Sequence, residues 1–333
     1  MESEAKEATK LLTNGDNFNA GDLHALIPIP EKGVDPQTLL DILTKLHDSE
    51  NTAEKGRAFA YTYTTSAGMK DLSDVLSKSY CMFSEKTGPV ETKNITTAVK
   101  SKEMVRSNVK KGVHDGLLDE AWNLFMHSNA LNPMMYPSLR KFEMEIVSMT
   151  AWMLNGDAAA SGNVTSGGTE SILMAIKTYR DRARKLMPHI TKPNMIVATS
   201  VHPAFEKAGH YFDVELIHVP LTGDYRMNIA ATAAAINKNT ILLVGSASQY
   251  CHGVIDPIKN LSELALNKGL PLHVDACFGG FMLPWLEKLG EKIPLWDFRA
   301  PGVTSISADV HKYGYSSKGA SIIVYRDKEL RSH

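Results

Sequence analysis

Three residues that could act together on an aldehyde cofactor stand at the ends of short apolar runs. Lys312 follows residues 303–306 and lies in a loop rich in Gly and Ser, next to an imidazole. A lysine in this setting could hold an aldehyde cofactor as a Schiff base. Asp275 ends the run at 270–274, where a buried carboxylate needs a cationic partner such as a pyridinium nitrogen. His202 follows a further run, and its flat ring could stack on such a cofactor.

A Gly-Gly turn supplies a candidate phosphate site. The segment VTSGGTES, residues 164–171, opens a helix, so the backbone N–H groups of Gly168 and Thr169 lie at a helix N-terminus and could bind phosphate. His252 follows the run at 241–244 and adds another polar side chain that could contact a cofactor. Polar residues after several strand ends together favour one binding site.

Each of these residues also has a purely structural explanation. Lys312 could be a surface lysine of a loop, Asp275 could cap a turn, and His202 could be satisfied by loop backbone. Ser166 or Thr169 could be an ordinary helix N-cap. The hypothesis of a site therefore depends on all of these residues reaching the same edge of one sheet.

Short apolar runs alternate with helical patterns in the second half of the chain. This alternation predicts an α/β fold with a mostly parallel sheet and helices on both faces. In such sheets, ligands bind at the carboxyl ends of strands. The predicted strands are 195–198, 214–219, 241–244, 270–274, 303–306 and 321–325, and the predicted helices are 137–154, 168–187, 203–212, 228–237, 258–267 and 282–289.

The N-terminal part of the chain is less patterned. Residues 1–26 are predicted to form a flexible arm, and residues 27–136 a segment with an insertion at about 64–116. Within that segment, Asp35 and Pro36 are predicted to cap and start a helix. Residues 137–333 are then the ligand-binding large domain.

Composition excludes several functional classes. The net charge of -1 gives no global field that would favour nucleic acid or an anionic membrane. Three cysteines, an odd number without metal-ligand spacing, favour a reducing compartment and indicate no metal site. No stretch approaches the roughly 20 apolar residues of a membrane span, and the N-terminus has no apolar signal-peptide core. We expect a soluble intracellular protein without a transmembrane segment.

Four segments carry a resemblance to a known family. VTSGGTESILMAIKTYRD, HVDACFGGF, DFRAPGVTSISADVHKYGY and SKGAS resemble the sphingosine-1-phosphate lyases, which belong to the group II decarboxylase-like enzymes that use pyridoxal 5'-phosphate. The resemblance implies a fold-type-I large domain. Because the chain ends about twenty residues after Lys312, it also implies that the small C-terminal domain of the family is largely missing.

The resemblance assigns roles to individual residues. It implies that Lys312 attaches the cofactor, that Asp275 faces the pyridine nitrogen and that His202 stacks on the ring. Two more residues take roles from the position of their segments: Tyr63 in GRAFAYTY as a catalytic tyrosine and Asn129 in SNALNP as a contact of the substrate phosphate. The implied neighbours of the cofactor phosphate are Gly168, Thr169, Ser307 and His311.

The implied reaction is retro-aldol cleavage of a phosphorylated sphingoid base to a long-chain aldehyde and phosphoethanolamine, without a metal. The resemblance also implies a homodimer in the cytoplasm or at the periphery of the endoplasmic reticulum membrane. Two alternatives stay open. One is an amino-acid decarboxylase on the same scaffold, and the other is a truncated, non-catalytic fragment of the lyase.

Overall fold

The computed structural model describes residues 34–48, 113–131 and 135–333. Tyr63 and nearly all of the predicted insertion at about 64–116 lie outside these ranges. The described residues as far as Lys141 belong to one compact unit, and those from Phe142 onward belong to a second. Within the described ranges, none of the helices combines the length and apolar character needed to span a bilayer.

The first unit contains two helices, α1 at Pro36–Asp48 and α2 at Val113–Phe125. Helix α1 begins where the Asp-Pro pair predicts, because the Asp35 carboxylate accepts the backbone N–H groups of Gln37 at 3.0 Å and Thr38 at 3.2 Å. The two helices contact each other.

The second unit alternates strands and helices after a long helix that begins at the end of the first. Its elements in chain order are α3 Pro137–Met153, β1 Ser161–Thr165, α4 Gly168–Leu186, β2 Asn194–Ala198, α5 Ala204–Phe212, β3 Glu215–Val219, α6 Ile229–Ala235, β4 Thr240–Ser246, α7 Ile258–Lys268, β5 Leu272–Asp275, α8 Leu283–Lys288, β6 Val303–Ala308, β7 Ser321–Tyr325 and α9 Lys328–Arg331.

The seven strands form one mixed sheet in the order β1-β7-β6-β5-β4-β2-β3. Strands β6, β5, β4, β2 and β3 are parallel, whereas β7 is antiparallel to both of its neighbours. The prediction of a mostly parallel sheet is confirmed. Because β1 and β6 are both antiparallel to β7, β1 runs in the same direction as the parallel strands, and its carboxyl end lies at the same edge as theirs.

Alternate residues of the central strands pack on opposite faces of the sheet. On β2, Ile196 joins the hydrophobic cluster of one face, while Met195 and Val197 join the cluster of the other. One cluster includes Trp296 and Phe298, and the other includes residues of α4 and α5. Both faces are therefore dry, which explains why the central strands read as continuous apolar runs.

Candidate active site

A narrow cleft lies at the carboxyl ends of the parallel strands, where the sequence predicts a ligand. Its empty volume, which includes open solvent at the mouth, is about 270 Å³. The loops that follow β2, β4, β5 and β6 all contribute to it. The lining residues are Ser200, His202, Ser246, Ser248, Tyr250, Asp275, Cys277, Phe278 and Lys312.

Lys312 enters the cleft from the loop after β6 and is held by a carboxylate that precedes it by three residues. Its Nζ lies 2.9 Å from Oδ2 of Asp309, whose side chain is 3% exposed. Burial alone would lower the pKa of the Lys312 ammonium, but the hydrogen bond and charge of Asp309 outweigh it, so the pKa is raised above its ordinary value. Lys312 is therefore a charged amine with a defined proton acceptor beside it.

Asp275 ends β5 with its carboxylate buried and anchored on one oxygen. Oδ1 accepts the backbone N–H of Cys277 at 3.0 Å and the hydroxyl of Ser307 at 3.3 Å. Burial, followed by the charges of Asp275 and Asp309, raises the pKa of the Cys277 thiol well above its ordinary value. The thiol stays protonated and donates to Ser307 Oγ at 3.4 Å. Within the described residues Asp275 Oδ2 has no such anchor, so this oxygen is available to a cation in the cleft.

His202 lines the cleft with its ring orientation fixed from one side. Its Nδ1 accepts the backbone N–H of Ala204, the first residue of α5, at 3.1 Å. Because Nδ1 accepts, the proton of the neutral ring is on Nε2. The ring meets the exposed ring of Tyr250 edge to face, with centroids 5.2 Å apart. The sequence left open whether His202 bonds the loop backbone or faces a ligand; in the structure it does the first and also lines the cleft.

The Gly-Gly turn brings the N-terminus of α4 close to the same carboxylate that holds Lys312. Gly167 has a φ of +157°, which residues with a side chain rarely adopt. A Cβ on Gly168 would lie 2.8 Å from Asp309 Oδ1 and 2.8 Å from the Cys277 sulfur. The close approach requires glycine at 168, and the positive end of the α4 dipole faces the Asp309 carboxylate.

The three other residues assigned to the cofactor phosphate, His311, Thr169 and Ser307, lie in different surroundings. His311 follows the same strand as Lys312, with its Nδ1 2.7 Å from the carbonyl oxygen of Ala320 and its Nε2 3.8 Å from Asp309 Oδ2. Thr169 is exposed in the first turn of α4. Ser307 is buried on β6. The assigned phosphate contacts stay predictions.

Two further predicted residues, His252 and Asn129, also lie outside the lining of the cleft. His252 is exposed and stacks on the Tyr225 ring, with centroids 4.7 Å apart, while its Nδ1 lies 3.1 Å from Gln249 Oε1. Asn129 belongs to the first unit, where its side-chain oxygen accepts the backbone N–H of Leu131 at 3.0 Å. With Tyr63 outside the described residues, the roles assigned to these three residues also stay predictions.

Polar atoms on two residues that line the cleft, and one on Asp309 beside Lys312, are left unpaired by the described protein. The buried hydroxyls of Ser200 and Ser248 and the Oδ1 of Asp309 have no hydrogen-bond partner among the described residues. Such atoms are costly to bury without a partner. A small polar ligand placed between Lys312 and the Asp275 carboxylate can supply the missing bonds, so the residues present fit a charged aromatic aldehyde with a phosphate group.

Asp309, Ser200, Ser248 and His273 were not assigned a role from the sequence. Asp309 lies within SADVHK, three residues before Lys312, and this i,i+3 spacing is the signal that could have identified it. The two serines lie in loops without a distinctive spacing, so their role depends on the fold.

An amine held at the carboxyl edge of a mostly parallel sheet, facing a buried carboxylate and an imidazole, defines the pyridoxal phosphate class of fold-type-I proteins. Residues 99–333 match the pyridoxal-dependent decarboxylase conserved domain, and the chain belongs to this family. The cofactor of the family is pyridoxal 5'-phosphate.

Known proteins that resemble this chain include lyases and a decarboxylase. Sphingosine-1-phosphate lyase of Arabidopsis thaliana is 48% identical over 225 residues, which cover 66% of this chain and 41% of that protein. The solved structure of Burkholderia pseudomallei sphingosine-1-phosphate lyase matches with a TM-score of 0.68 and 40% identity, covering 75% of this chain and 62% of that one. L-aspartate/L-glutamate decarboxylase of Pyrococcus horikoshii is 38% identical over 216 residues, 65% of this chain and 55% of that protein. The chain thus spans about two fifths of the length of the curated lyases.

Proposed function

We propose that this chain is the cofactor-binding part of a pyridoxal 5'-phosphate-dependent lyase that cleaves phosphorylated sphingoid bases. The observation that carries the cofactor site is Lys312 in a cleft with Asp275 and His202, beside buried polar atoms without partners. Support for the substrate class is the higher identity to sphingosine-1-phosphate lyases, 43–48% in the curated proteins from plants, animals and a slime mould, than the 38% to the decarboxylase.

In this proposal Lys312 attaches the cofactor, and Asp309 controls its proton. A lysine is a nucleophile only as the neutral amine, so the ammonium has to lose a proton before it can attack an aldehyde. The acceptor nearest to Nζ is Asp309 Oδ2, at 2.9 Å. Asp309 would stay beside the Lys312 amine and could return the proton whenever that amine is not attached to the cofactor.

Asp275 and His202 hold the ring in the proposed site. The carboxylate of Asp275 would pair with a protonated ring nitrogen, since it is buried and forms no ion pair with a cation among the described residues. His202 offers the flat face of a neutral imidazole whose orientation is fixed by Ala204. Held by these two residues, the cofactor would supply an electron-withdrawing ring for the electron pair released when the C2–C3 bond of the substrate breaks.

The phosphate of the cofactor has a candidate position at the start of α4. The free backbone N–H groups of the first turn and the helix dipole favour an anion there. Glu170 does not compete for this position, since its carboxylate accepts the backbone N–H and the hydroxyl of Ser166 at 2.6 and 2.7 Å. We assign Gly168 and Thr169 to phosphate binding, with His311 and Ser307 as neighbours.

The substrate chain extends out of the cleft in this proposal. The long alkyl chain of a sphingoid base would leave this narrow cleft through its mouth. Tyr250 and Tyr313, both exposed, offer aromatic surface near its mouth, and the Tyr313 ring packs against Phe278 of the lining. We propose that a second copy of the chain covers this surface in a homodimer, and that Tyr63 and Asn129 contribute to catalysis and phosphate binding.

A product assay tests the proposed reaction. The purified chain, loaded with pyridoxal 5'-phosphate, is incubated with a phosphorylated sphingoid base and, separately, with L-aspartate and L-glutamate. The proposal predicts a long-chain aldehyde and phosphoethanolamine from the first and no carbon dioxide from the others, with Lys312→Ala as the inactive control. Carbon dioxide without aldehyde would favour the decarboxylase. Cofactor binding without either product would favour the non-catalytic fragment.

A further inference from the structure

A row of hydrogen bonds runs through the interior of the sheet unit and ends on the carboxylate at the cleft. Tyr179 of α4 donates its hydroxyl proton to Ser305 Oγ at 2.7 Å, and Ser305 Oγ lies 2.8 Å from His273 Nδ1. On the other side of the ring, His273 Nε2 lies 3.3 Å from Ser307 Oγ, which donates to Asp275 Oδ1 at 3.3 Å. All five side chains are more than nine-tenths buried.

The donors and acceptors of this row determine where each proton is. A carboxylate only accepts, so the single hydroxyl proton of Ser307 goes to Asp275 and Ser307 Oγ accepts from His273 Nε2. In the neutral ring Nε2 then carries the only proton, and Nδ1 accepts the hydroxyl proton of Ser305. Every bond points toward Asp275, and such an array is strongest when it ends on a charged group.

This order of protons requires a neutral imidazole at position 273. Burial lowers the pKa of His273 to about 4, although the charge of Asp275 opposes the effect. Burial also raises the pKa of the Tyr179 hydroxyl, so the first donor of the row stays protonated. The charged or titratable groups that act on the ring are Asp275 through Ser307 and Tyr179 through Ser305, and Phe205 of α5 packs at 6.0 Å between ring centroids. At neutral pH each proton of the row therefore stays in place.

We propose that His273 is a positioning residue for the cofactor ring nitrogen, which it reaches through Ser307 and Asp275. This inference rests on the proposed cofactor role of Asp275. The Ser307 hydroxyl and the Cys277 N–H both anchor Oδ1. The carboxylate is thereby held in one orientation, and Oδ2 is left to the ring nitrogen. Without the donor on Nε2, Ser307 could turn its proton elsewhere and this orientation would be lost.

The test compares two probes that differ at one ring atom. The chain freed of cofactor is titrated with pyridoxal 5'-phosphate and with the analogue in which a carbon replaces the ring nitrogen. Wild type should bind the natural cofactor at least about tenfold more tightly, as expected for a charge-assisted hydrogen bond. His273→Phe keeps the ring but removes both of its hydrogen bonds, and it should reduce this preference to about twofold or less. His273→Gln, which restores a donor toward Ser307, should recover part of it.

A matched control separates this effect from a loss of stability. Tyr325 is a second buried phenol whose hydroxyl bonds Thr178 at 3.0 Å, outside the row. Tyr325→Phe should lower the melting temperature but leave the preference for the ring nitrogen at the wild-type value. If His273→Phe does not fold, Tyr179→Phe and Ser305→Ala serve instead, each with an expected loss of preference of about twofold to fivefold.

Three results would overturn the proposal. The first is that His273→Phe prefers the natural cofactor over the analogue as strongly as wild type does. If His273→Phe does not fold, the same result in both Tyr179→Phe and Ser305→Ala counts instead. The second is that Tyr325→Phe loses as much of its preference for the natural cofactor as the variants in the hydrogen-bonded row do. In the third, the wild type binds both probes equally well, and this would refute the role of Asp275 itself and with it the proposed cofactor site. The first two results leave that site intact.

Discussion

Two hollows in the described part of the sheet unit differ in lining, and the larger of these two does not have the lining of a catalytic site. A groove beside the C-terminal half of α4, lined in part by Arg180, Arg184 and Asp213, has an empty volume of about 750 Å³, against about 270 Å³ for the cleft. In the groove, Nε of Arg180 lies 2.7 Å from Asp181 Oδ1 without hydrogen-bond geometry, and the guanidinium lies 5.1 Å from the centre of the Phe212 ring. The cleft instead combines an amine, a buried carboxylate and hydroxyls without partners. The types of residue that line a hollow, rather than its volume, therefore identify the site.

The largest difference between the cleft and the groove is expected when one cation is removed from each. Lys312→Ala should abolish the visible absorbance that the chain acquires with pyridoxal 5'-phosphate, because the covalent attachment point is lost. Arg184→Ala, in the groove, should leave the absorbance at the wild-type level. Absorbance retained in Lys312→Ala, or lost equally in Arg184→Ala, would contradict the assignment of the cleft. The measurement is an absorbance spectrum of each purified chain after removal of free cofactor.

A second test concerns the proton on Lys312. Asp309→Asn removes the charge that raises the Lys312 pKa and leaves burial, which lowers it. Each unit by which the pKa falls gives about tenfold more neutral amine at a fixed pH below the pKa. The rate of cofactor attachment should therefore reach its maximum at a lower pH in the variant. Stopped-flow absorbance from pH 6 to 10 measures this profile, with Lys318→Ala, a lysine of the same loop, as the control. An unchanged pH profile in Asp309→Asn would show that the charge of Asp309 does not keep the proton on Lys312.

The pH dependence of stability gives a third test, because His273 is buried in its neutral form. Its folded pKa is about 4, below the roughly 6.5 of an exposed histidine, so the unfolded chain binds the extra proton between these values. The free energy of unfolding should fall by up to about 3 kcal/mol as the pH drops from 6.5 to 4. In His273→Gln this contribution should be absent, and urea unfolding at several pH values measures the difference. Equal slopes for both chains would contradict a neutral, buried His273.

The smallest expected effect comes from one methyl group beside the cleft. Gly168→Ala places a Cβ against Asp309 and Cys277, and overpacking of this kind costs about 1–3 kcal/mol. It should also weaken cofactor binding, since it displaces the start of α4. Gly223→Ala is the control, because nothing lies within 4 Å of its Cβ position. Urea unfolding and cofactor titration of both variants measure the two effects, and equal behaviour would argue against close packing at Gly168.

The sequence predicts the sheet well where strands are buried on both faces. The strand predicted at residues 321–325 coincides with β7, because its apolar residues form an unbroken run. Strand β1 was not predicted, since SGNVT contains Gly and Asn and pairs along one side with β7. Gly162 is needed there because a Cβ would lie 2.3 Å from the Ile323 carbonyl oxygen. Only the paired strand reveals this reason.

The candidate site was predicted in part for a similar reason. Lys312, Asp275 and His202 follow strand ends, and parallel strands bring their carboxyl ends together, so the cleft that they line could be expected. Asp309 lies only three residues before its partner Lys312, so the spacing could have identified it, whereas His273 contacts serines of a neighbouring strand in the core. Buried polar pairs have no periodic pattern, so their contacts appear only when neighbouring strands are placed side by side.

The attachment of the cofactor to Lys312 is the central claim, and peptide mapping tests it most directly. The chain is loaded with pyridoxal 5'-phosphate, treated with borohydride to make the linkage permanent, digested and analysed by mass spectrometry. Attachment at Lys312 predicts the mass of the reduced cofactor on the peptide that contains Lys312, with fragment ions that assign it to that side chain. Modification of Lys318 or of another lysine in place of Lys312, or no modification of the loaded protein, would contradict it.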